Sequence, residues 1–301
     1  MLNCKKFFEL LVEREIKFFS GIPDSLLKDF NAYIMDNVKE ENHIIAANEG
    51  ASIALATGHY LATKEIGLVY LQNSGLGNAI NPLISLADQE VYSIPMLLLI
   101  GWRGEPGEKD EPQHLKQGRI TLKLLNSLEI PYEILPDDIE KATISLDKAV
   151  TYMKKFNAPY ALVVRKKTFE KYDYKNEIQQ SHNMSRENAI KLILNELDDE
   201  SVVVSTTGMT SREVFECREQ RKQDHKNDFL TVGSMGHSSQ IALGIAMAKP
   251  ELQVFCLDGD GALIMHMGSV GIIGSKSTKN FKHIILNNAA HDSVGGQPTI
   301  G

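Results

Sequence analysis

The sequence predicts an α/β protein with two doubly wound, parallel-sheet domains. Three observations lead to this class. Short apolar segments alternate with helical segments in both halves of the chain, which is typical of parallel sheets covered by helices. A polar, charge-rich stretch without periodicity separates the halves. In the second half, two strands of buried composition each end in a small polar turn, the usual ligand edge of such a sheet.

The first half contains six short apolar segments with the composition of buried parallel strands. Helical stretches separate them, as in a parallel sheet. These segments define a first domain over residues 1–168, with strands predicted at 18–20, 44–47, 66–71, 95–100, 132–135 and 160–164.

The second half begins after a predicted linker at residues 169–184. Ser185 is a suitable N-cap for a helix over 186–194, and a new sheet opens at residues 202–205. A small-residue helix over 238–248 follows. The second domain therefore spans residues 185–301, with further strands predicted at 252–257 and 281–286.

The composition favours a cytoplasmic enzyme. A chain of 301 residues that is 43% hydrophobic can form two cores. The net charge of −7 gives no reason to expect nucleic-acid or membrane-surface binding, and no apolar run is long enough to span a bilayer. Three unevenly spaced cysteines and a charged N-terminal segment indicate a reducing compartment and no signal peptide.

The most specific feature is a pair of turns after the strands at 252–257 and 281–286. The first is Gly259–Asp260–Gly261, and the second contains Asn287 and Asn288. Glycines let backbone N–H groups approach a phosphate, and a carboxylate beside an amide oxygen suits Mg²⁺. The two turns therefore predict a site for a metal-bound diphosphate.

The first turn has two other interpretations. A calcium loop starting at Asp258 would need carboxylates where Ala262 and Ser269 stand. An ordinary strand-to-helix turn would account for Gly-Asp-Gly alone, but not for the Asn pair that follows the next strand.

The paired turns resemble the GDG…NN cofactor motif of the thiamine diphosphate-dependent decarboxylases. This resemblance implies a pyrimidine-binding domain followed by a diphosphate-binding domain. It implies that Mg²⁺ is held by Asp260, the Asn288 side chain and the Ala290 carbonyl. The family's second domain continues further, so we expect this one to be C-terminally incomplete. The resemblance also implies diphosphate contacts at Gly259, Gly261 and Ala262.

A carboxylate in the first domain is the second feature of this family resemblance. Glu49 lies between an apolar strand and a small-residue helix, so burial should raise its pKa. A solvated carboxylate at a helix start is the alternative. By the resemblance, Glu49 is the catalytic glutamate that hydrogen-bonds the aminopyrimidine ring. A non-catalytic protein that binds only the cofactor or a partner subunit is the rival class.

Two further segments fit the diphosphate domain. Thr206, Thr207 and Gly208 follow a strand directly and could contact the diphosphate, although a plain Ser/Thr turn is equally consistent with these residues. Ser234 and Met235 resemble the family segment that bends the cofactor, with Met235 as the wedge between its two rings.

Several segments resemble the branch of the family that decarboxylates small 2-oxo acids carrying a phosphonate or a sulfonate. Sulfonate enzymes are often split into two subunits, so the fused chain favours the phosphonate. The resemblance also implies active sites shared between subunits, hence a homodimer or a dimer of dimers. Residues 103–119 are expected to form a loop rich in cations. Candidate substrate contacts are Asp24, Ser25, Arg103, Gln113, His114 and His291.

Overall fold

The computed structural model describes residues 1–175, 184–276 and 278–300. The chain divides into two units, Met1–Glu177 and Ile178–Gly301. The predicted boundaries at 168 and 185 bracket this division, and residues 176–183 of the predicted linker lie outside the described residues. Within the described ranges, no helix is both long and apolar enough to cross a membrane.

The first unit is built on a six-stranded parallel sheet with the strand order β2-β1-β3-β4-β6-β5. Its central strands are apolar on both faces, as parallel strands buried between helices must be. The prediction of six strands is confirmed, with small shifts at their ends. The strands are β1 Phe19–Gly21, β2 His43–Ile45, β3 Gly67–Gln72, β4 Met96–Gly101, β5 Tyr132–Ile134 and β6 Tyr160–Val164.

Helices cover both faces of this sheet, so the unit is doubly wound. Leu68 and Tyr70 of β3 face one core, and Val69 and Leu71 face the other, because neighbouring side chains of a strand point in opposite directions. Helices α1 Cys4–Glu13, α2 Lys28–Asn37 and α6 Ile139–Phe156 pack on the first core. The second core is covered by α3 Glu49–Thr63, α4 Leu76–Pro82 and α5 Pro112–Ser127.

The start of the predicted linker packs against the first unit. The Phe169 ring stacks on Phe30 with centroids 5.0 Å apart, and Phe169 forms a β-bridge with Leu2. The Tyr172 hydroxyl donates to Asp36 at 3.0 Å. An aromatic pair in a core stabilises more than its burial alone, so residues 169–172 belong to the packed structure of this unit.

The second unit contains a four-stranded parallel sheet with the order β10-β9-β7-β8. Ser185 caps the helix that follows it by accepting from Asn188 N, as predicted. The strands are β7 Val202–Ser205, β8 Asp228–Leu230, β9 Val254–Gly259 and β10 Phe281–Leu286, followed by a hairpin of β11 Ala290–His291 and β12 Gln297–Pro298. The helices are α7 Arg186–Glu196, α8 Met209–Gln220, α9 Ser238–Ala248, α10 Asp260–Met265 and α11 Gly268–Lys276.

Candidate active site

The two predicted turns lie side by side in the second unit. Strands β9 and β10 are parallel neighbours, and Leu286 pairs with Gly259. The chain therefore leaves both strands at one edge of the sheet. Asp260 is 4% exposed and begins α10, where a helix N-terminus favours a negative charge. The sequence pattern thus produces a buried carboxylate at the carboxyl edge of the sheet.

Contacts across this edge join the first turn to the segment after β10. The Thr299 hydroxyl donates to Asp260, and Thr299 N donates to Ala289 O at 3.0 Å. A Cβ atom on Gly261 would lie 3.0 Å from His291 Cε1 and 3.3 Å from Met235 Cε. The structure therefore brings Met235 and His291 together at Gly261. Burial lowers the pKa of His291, although the nearby Asp260 opposes this shift.

Asn288 and Ala290 are part of the same group. Asn288 Oδ1 accepts from Ala290 N at 3.2 Å, and Asn288 Nδ2 donates to Asp292 at 2.8 Å. Asp292 is held by Arg186 at 2.9 Å. An amide oxygen, a backbone carbonyl and the buried carboxylate of Asp260 are the kinds of ligand that Mg²⁺ prefers. The residues present fit a hard divalent cation.

Thr206 provides an independent indication of a bound polar group. Its backbone N–H donates to Leu257 O at 2.8 Å, and its side chain lies near Gly259. The Thr206 hydroxyl is buried and has no hydrogen-bond partner among the described residues. Burying an unpaired hydroxyl is costly, so a phosphate oxygen at this edge would satisfy it. Thr207 and Gly208 are half-buried between β7 and α8.

The remaining cofactor candidates differ in exposure. Ser234 is exposed and has a left-handed backbone, with φ of 56°. Met235 is half-buried, whereas Ala262 is buried, and its carbonyl oxygen lies close to Gly236. Met235 therefore lies beside the Gly-Asp-Gly turn, and Ser234 is exposed.

Asp258 anchors the turn and was missed as a functional residue at the sequence level. It is 1% exposed; its Oδ1 accepts from Gly259 N at 3.0 Å and from the Ser238 hydroxyl at 3.2 Å. His283 Nε2 lies 3.0 Å from Asp258 Oδ2. These bonds tie β9 to β10 and to the start of α9. With Cys256, Asp258 and His283 also form a group close enough to hold a metal ion.

Glu49 begins α3 in the first unit, and Asn48 caps this helix by accepting from Ala51 N. The Glu49 side chain is 6% exposed, which confirms the expected burial. Its Oε2 accepts from Asn78 Nδ2 at 2.8 Å. Burial raises the pKa of Glu49, and the hydrogen bond from Asn78 opposes the rise.

Asp24, Ser25 and Arg103 lie close together in the first unit. The Arg103 guanidinium donates to Ser25 Oγ at 2.7 Å and to both Asp110 oxygens. Asp24 is fully buried, and burial raises its pKa to about 6. Ser25 and Arg103 line a cleft of about 910 Å³. Its walls carry charges of both signs: Lys28, Lys109, Lys166, Lys167 and Lys171, and Asp29, Glu105, Glu108, Asp110 and Glu111.

The expected loop over 103–119 is wrong beyond residue 111, because α5 begins at Pro112. Proline at the first helical position starts a helix well, since its missing N–H has no partner there anyway. Gln113 is half-buried in the first turn of α5. The His114 Nδ1 atom is buried without a partner in the described part of the chain, and burial lowers the pKa of His114. Lys116 and Arg119 are exposed on α5.

Two family models match the chain. Residues 5–124 match the N-terminal TPP binding domain of the thiamine pyrophosphate enzymes, and residues 205–301 match the C-terminal TPP binding domain. Together with the two parallel sheets and the paired turns, these matches define the class of protein as a thiamine pyrophosphate enzyme.

Three curated relatives narrow the class. Phosphonopyruvate decarboxylase of Streptomyces viridochromogenes is 33% identical over 93% of this chain and 72% of its own length. That of Streptomyces hygroscopicus is 33% identical over 93% and 71%. Sulfopyruvate decarboxylase of Methanosarcina acetivorans is 28% identical over 98% and 78%. The chain belongs to the thiamine pyrophosphate-dependent decarboxylase family that includes phosphonopyruvate decarboxylase.

The Methanosarcina relative shows that a fused chain is not specific to the phosphonate enzymes. It aligns with 98% of this chain, so a single chain that spans both halves occurs on the sulfonate side of the family too. Fusion of the halves therefore does not favour the phosphonate. The preference for a phosphonate now depends on the higher identity to the Streptomyces enzymes.

Proposed function

We propose that the protein catalyses the thiamine diphosphate- and Mg²⁺-dependent decarboxylation of phosphonopyruvate to phosphonoacetaldehyde and CO₂. The observation that supports the reaction is the buried Asp260 turn joined to the segment 288–291 at one sheet edge. The identity to phosphonopyruvate decarboxylases supports the substrate. Sulfopyruvate is the second candidate substrate, because the Methanosarcina relative matches nearly the whole chain.

The residues divide between cofactor binding and proton control. Bound thiamine diphosphate supplies an electron sink for the electron pair released as CO₂ departs. Asp260, Asn288 and the Ala290 carbonyl would hold Mg²⁺, and the Thr206 hydroxyl would donate to a phosphate oxygen. Glu49 would share a proton with the aminopyrimidine ring, for which a buried carboxyl with a raised pKa is suited.

The substrate headgroup needs cationic partners in an acidic chain. We assign them to the cleft that contains Ser25 and Arg103, where five lysines stand beside five acidic residues. Arginine matches the oxygens of a phosphonate or sulfonate in a bidentate manner. Asp24, Gln113 and His114 lie in the same unit, whereas His291 lies at the Gly261 turn of the other unit. We assign His291 to the side of the substrate nearest the cofactor.

We also propose that the protein is a homodimer or a dimer of dimers, in which Glu49 of one subunit serves the diphosphate domain of the next. A cytoplasmic location is proposed from its cysteines. All three are free and buried, as in proteins of reducing compartments.

The test is CO₂ release from phosphonopyruvate, sulfopyruvate and pyruvate in parallel, with and without thiamine diphosphate and Mg²⁺. We expect release that needs both cofactors and is fastest with phosphonopyruvate. Faster release from sulfopyruvate would keep the reaction and change the substrate. Binding of the cofactor without release from any of the acids would favour the non-catalytic class.

A further inference from the structure

We propose that Asn78 is a positioning residue that fixes the Glu49 carboxylate and favours its charged form. The inference rests on the proposed role of Glu49. Asn78 lies on α4, which follows β3, and its Nδ2 atom donates to Glu49 Oε2 at 2.8 Å. A hydrogen bond to a carboxylate oxygen stabilises the ionised form over the protonated one.

The second carboxylate oxygen is held by close backbone packing. A Cβ atom on Gly75 would lie 2.3 Å from Glu49 Oε1, so any larger residue would displace the carboxylate or the loop. A Cβ atom on Gly50 would lie 3.0 Å from Asn78 O. The start of α3 therefore packs against residues 75–78. Glu49 Oε1 lies beside Gly75, and Glu49 Oε2 lies beside Asn78 Nδ2.

The loop that carries these contacts is itself fixed. Asn73 is 2% exposed, and its Nδ2 donates to Arg103 O at 2.8 Å and to Thr121 Oγ1 at 2.9 Å. Arg103 N donates back to Asn73 Oδ1 at 3.2 Å. Paired bonds to a buried amide restrict the chain to one conformation. The position of Asn78 therefore depends on the same backbone that carries Arg103.

The exposure of Asn78 indicates that this residue positions Glu49 and contributes little to packing. Asn78 is exposed apart from the amide that reaches Glu49, so its truncation removes little buried surface. Among the described residues, the Glu49 carboxyl is influenced by burial and by hydrogen bonds from Asn78 and from its own backbone. Loss of the Asn78 bond should thus act on the protonation of Glu49 and little on folding.

The experiment titrates Glu49 in the cofactor-free protein by infrared difference spectroscopy, with the carboxyl band assigned by comparison with Glu49→Gln. Asn78→Ala and the isosteric Asn78→Asp should both raise the midpoint, by about one pH unit, a tenfold change in the protonation equilibrium, for Asn78→Ala. Asn81→Ala is the matched control, since Asn81 is an exposed asparagine of the same helix. Its midpoint should equal that of the unaltered protein.

A second readout follows the holoenzyme. The acidic limb of the kcat profile should move upward with the midpoint in Asn78→Ala, while KM for phosphonopyruvate changes less than about twofold. An unshifted midpoint in either folded Asn78 variant overturns the inference. A shifted midpoint in a chain that decarboxylates none of the three acids would support the contact and overturn the proposed function, so the two failures are distinguishable.

Discussion

Two buried carboxylates follow neighbouring strands of the first sheet, and their partners differ. Glu49 follows β2 and accepts from the Asn78 amide. Asp24 follows β1, accepts from the backbone N–H of Leu26, and has one oxygen without a partner among the described residues. Burial raises the pKa of both carboxyls. The rise is opposed by the hydrogen bond from Asn78 at Glu49, and by backbone N–H groups and the charge of Arg103 at Asp24.

The role of Glu49 leads to a prediction about turnover. Glu49→Gln keeps the shape of the side chain but cannot share a proton, so kcat should fall by about 10²-fold or more, as for other acid–base residues. Binding of thiamine diphosphate should change only a few-fold, because the diphosphate contacts are unaltered. CO₂ release and calorimetric titration with the cofactor measure the two effects. A variant that keeps half of the normal turnover would show that Glu49 is not the catalytic carboxylate.

The burial of Asp24 leads to a prediction about stability. The pKa of Asp24 in the folded protein, about 6, lies above the ordinary value of 3.8. The protonated carboxyl therefore contributes to the free energy of unfolding at low pH, and this contribution is lost as pH rises through about 6. Relative to the unaltered protein, Asp24→Asn should therefore gain about 3 kcal/mol of unfolding free energy between pH 3.5 and pH 7. Urea unfolding across this range is the measurement. A difference that does not vary with pH would contradict the buried carboxyl.

At the scale of elements, local patterns predicted most of the fold. Strand β6 and helix α9 have the bounds expected from their apolar composition, and Ser185 caps α7 as predicted. Helix α5 was missed because a glycine and several charges interrupt its pattern. In the structure, Gly118 packs against the Gly104 carbonyl, so tertiary contact overrides the low helix propensity of glycine.

This packing can be tested by adding a methyl group. A Cβ atom on Gly118 would lie 1.6 Å from Gly104 O, so Gly118→Ala must move α5 or the turn that carries Arg103. We expect a loss of about 2 kcal/mol or more in urea unfolding. Gly77→Ala is the control, since a Cβ there meets no atom within 4 Å and α4 should tolerate or prefer alanine. Equal stability of the two variants would show that the helix has room.

Candidate site residues could be singled out from the sequence where the chemistry is local, but not where it depends on distant partners. Gly259–Asp260–Gly261 and Asn288 could be recognised because each turn carries its ligands in a few consecutive residues. Asn78 and Glu49, and likewise His283 and Asp258, meet only after strands pair and helices pack. Their side-chain directions are set by tertiary structure, so no short pattern in the sequence identifies these two contacts.

In the whole molecule, the candidate functional residues are divided between two units. The first unit contains Glu49 and the cleft with Ser25 and Arg103, and the second contains Asp260, Asn288 and Ala290. Each unit has its own sheet and core. Two variants that we expect to be inactive, Glu49→Gln and Asp260→Ala, carry their substitutions on different units.

Mixing these variants tests whether sites are shared between subunits. In a dimer of one Glu49→Gln chain and one Asp260→Ala chain, a shared arrangement leaves one site with an intact Glu49 and an intact Asp260. Co-expression at equal levels should then restore about a quarter of normal CO₂ release, since half of the dimers are mixed and each has one working site. If every chain supplied both residues to its own site, the mixture would stay as inactive as either variant. Two preparations of Glu49→Gln, mixed in the same way, provide the background.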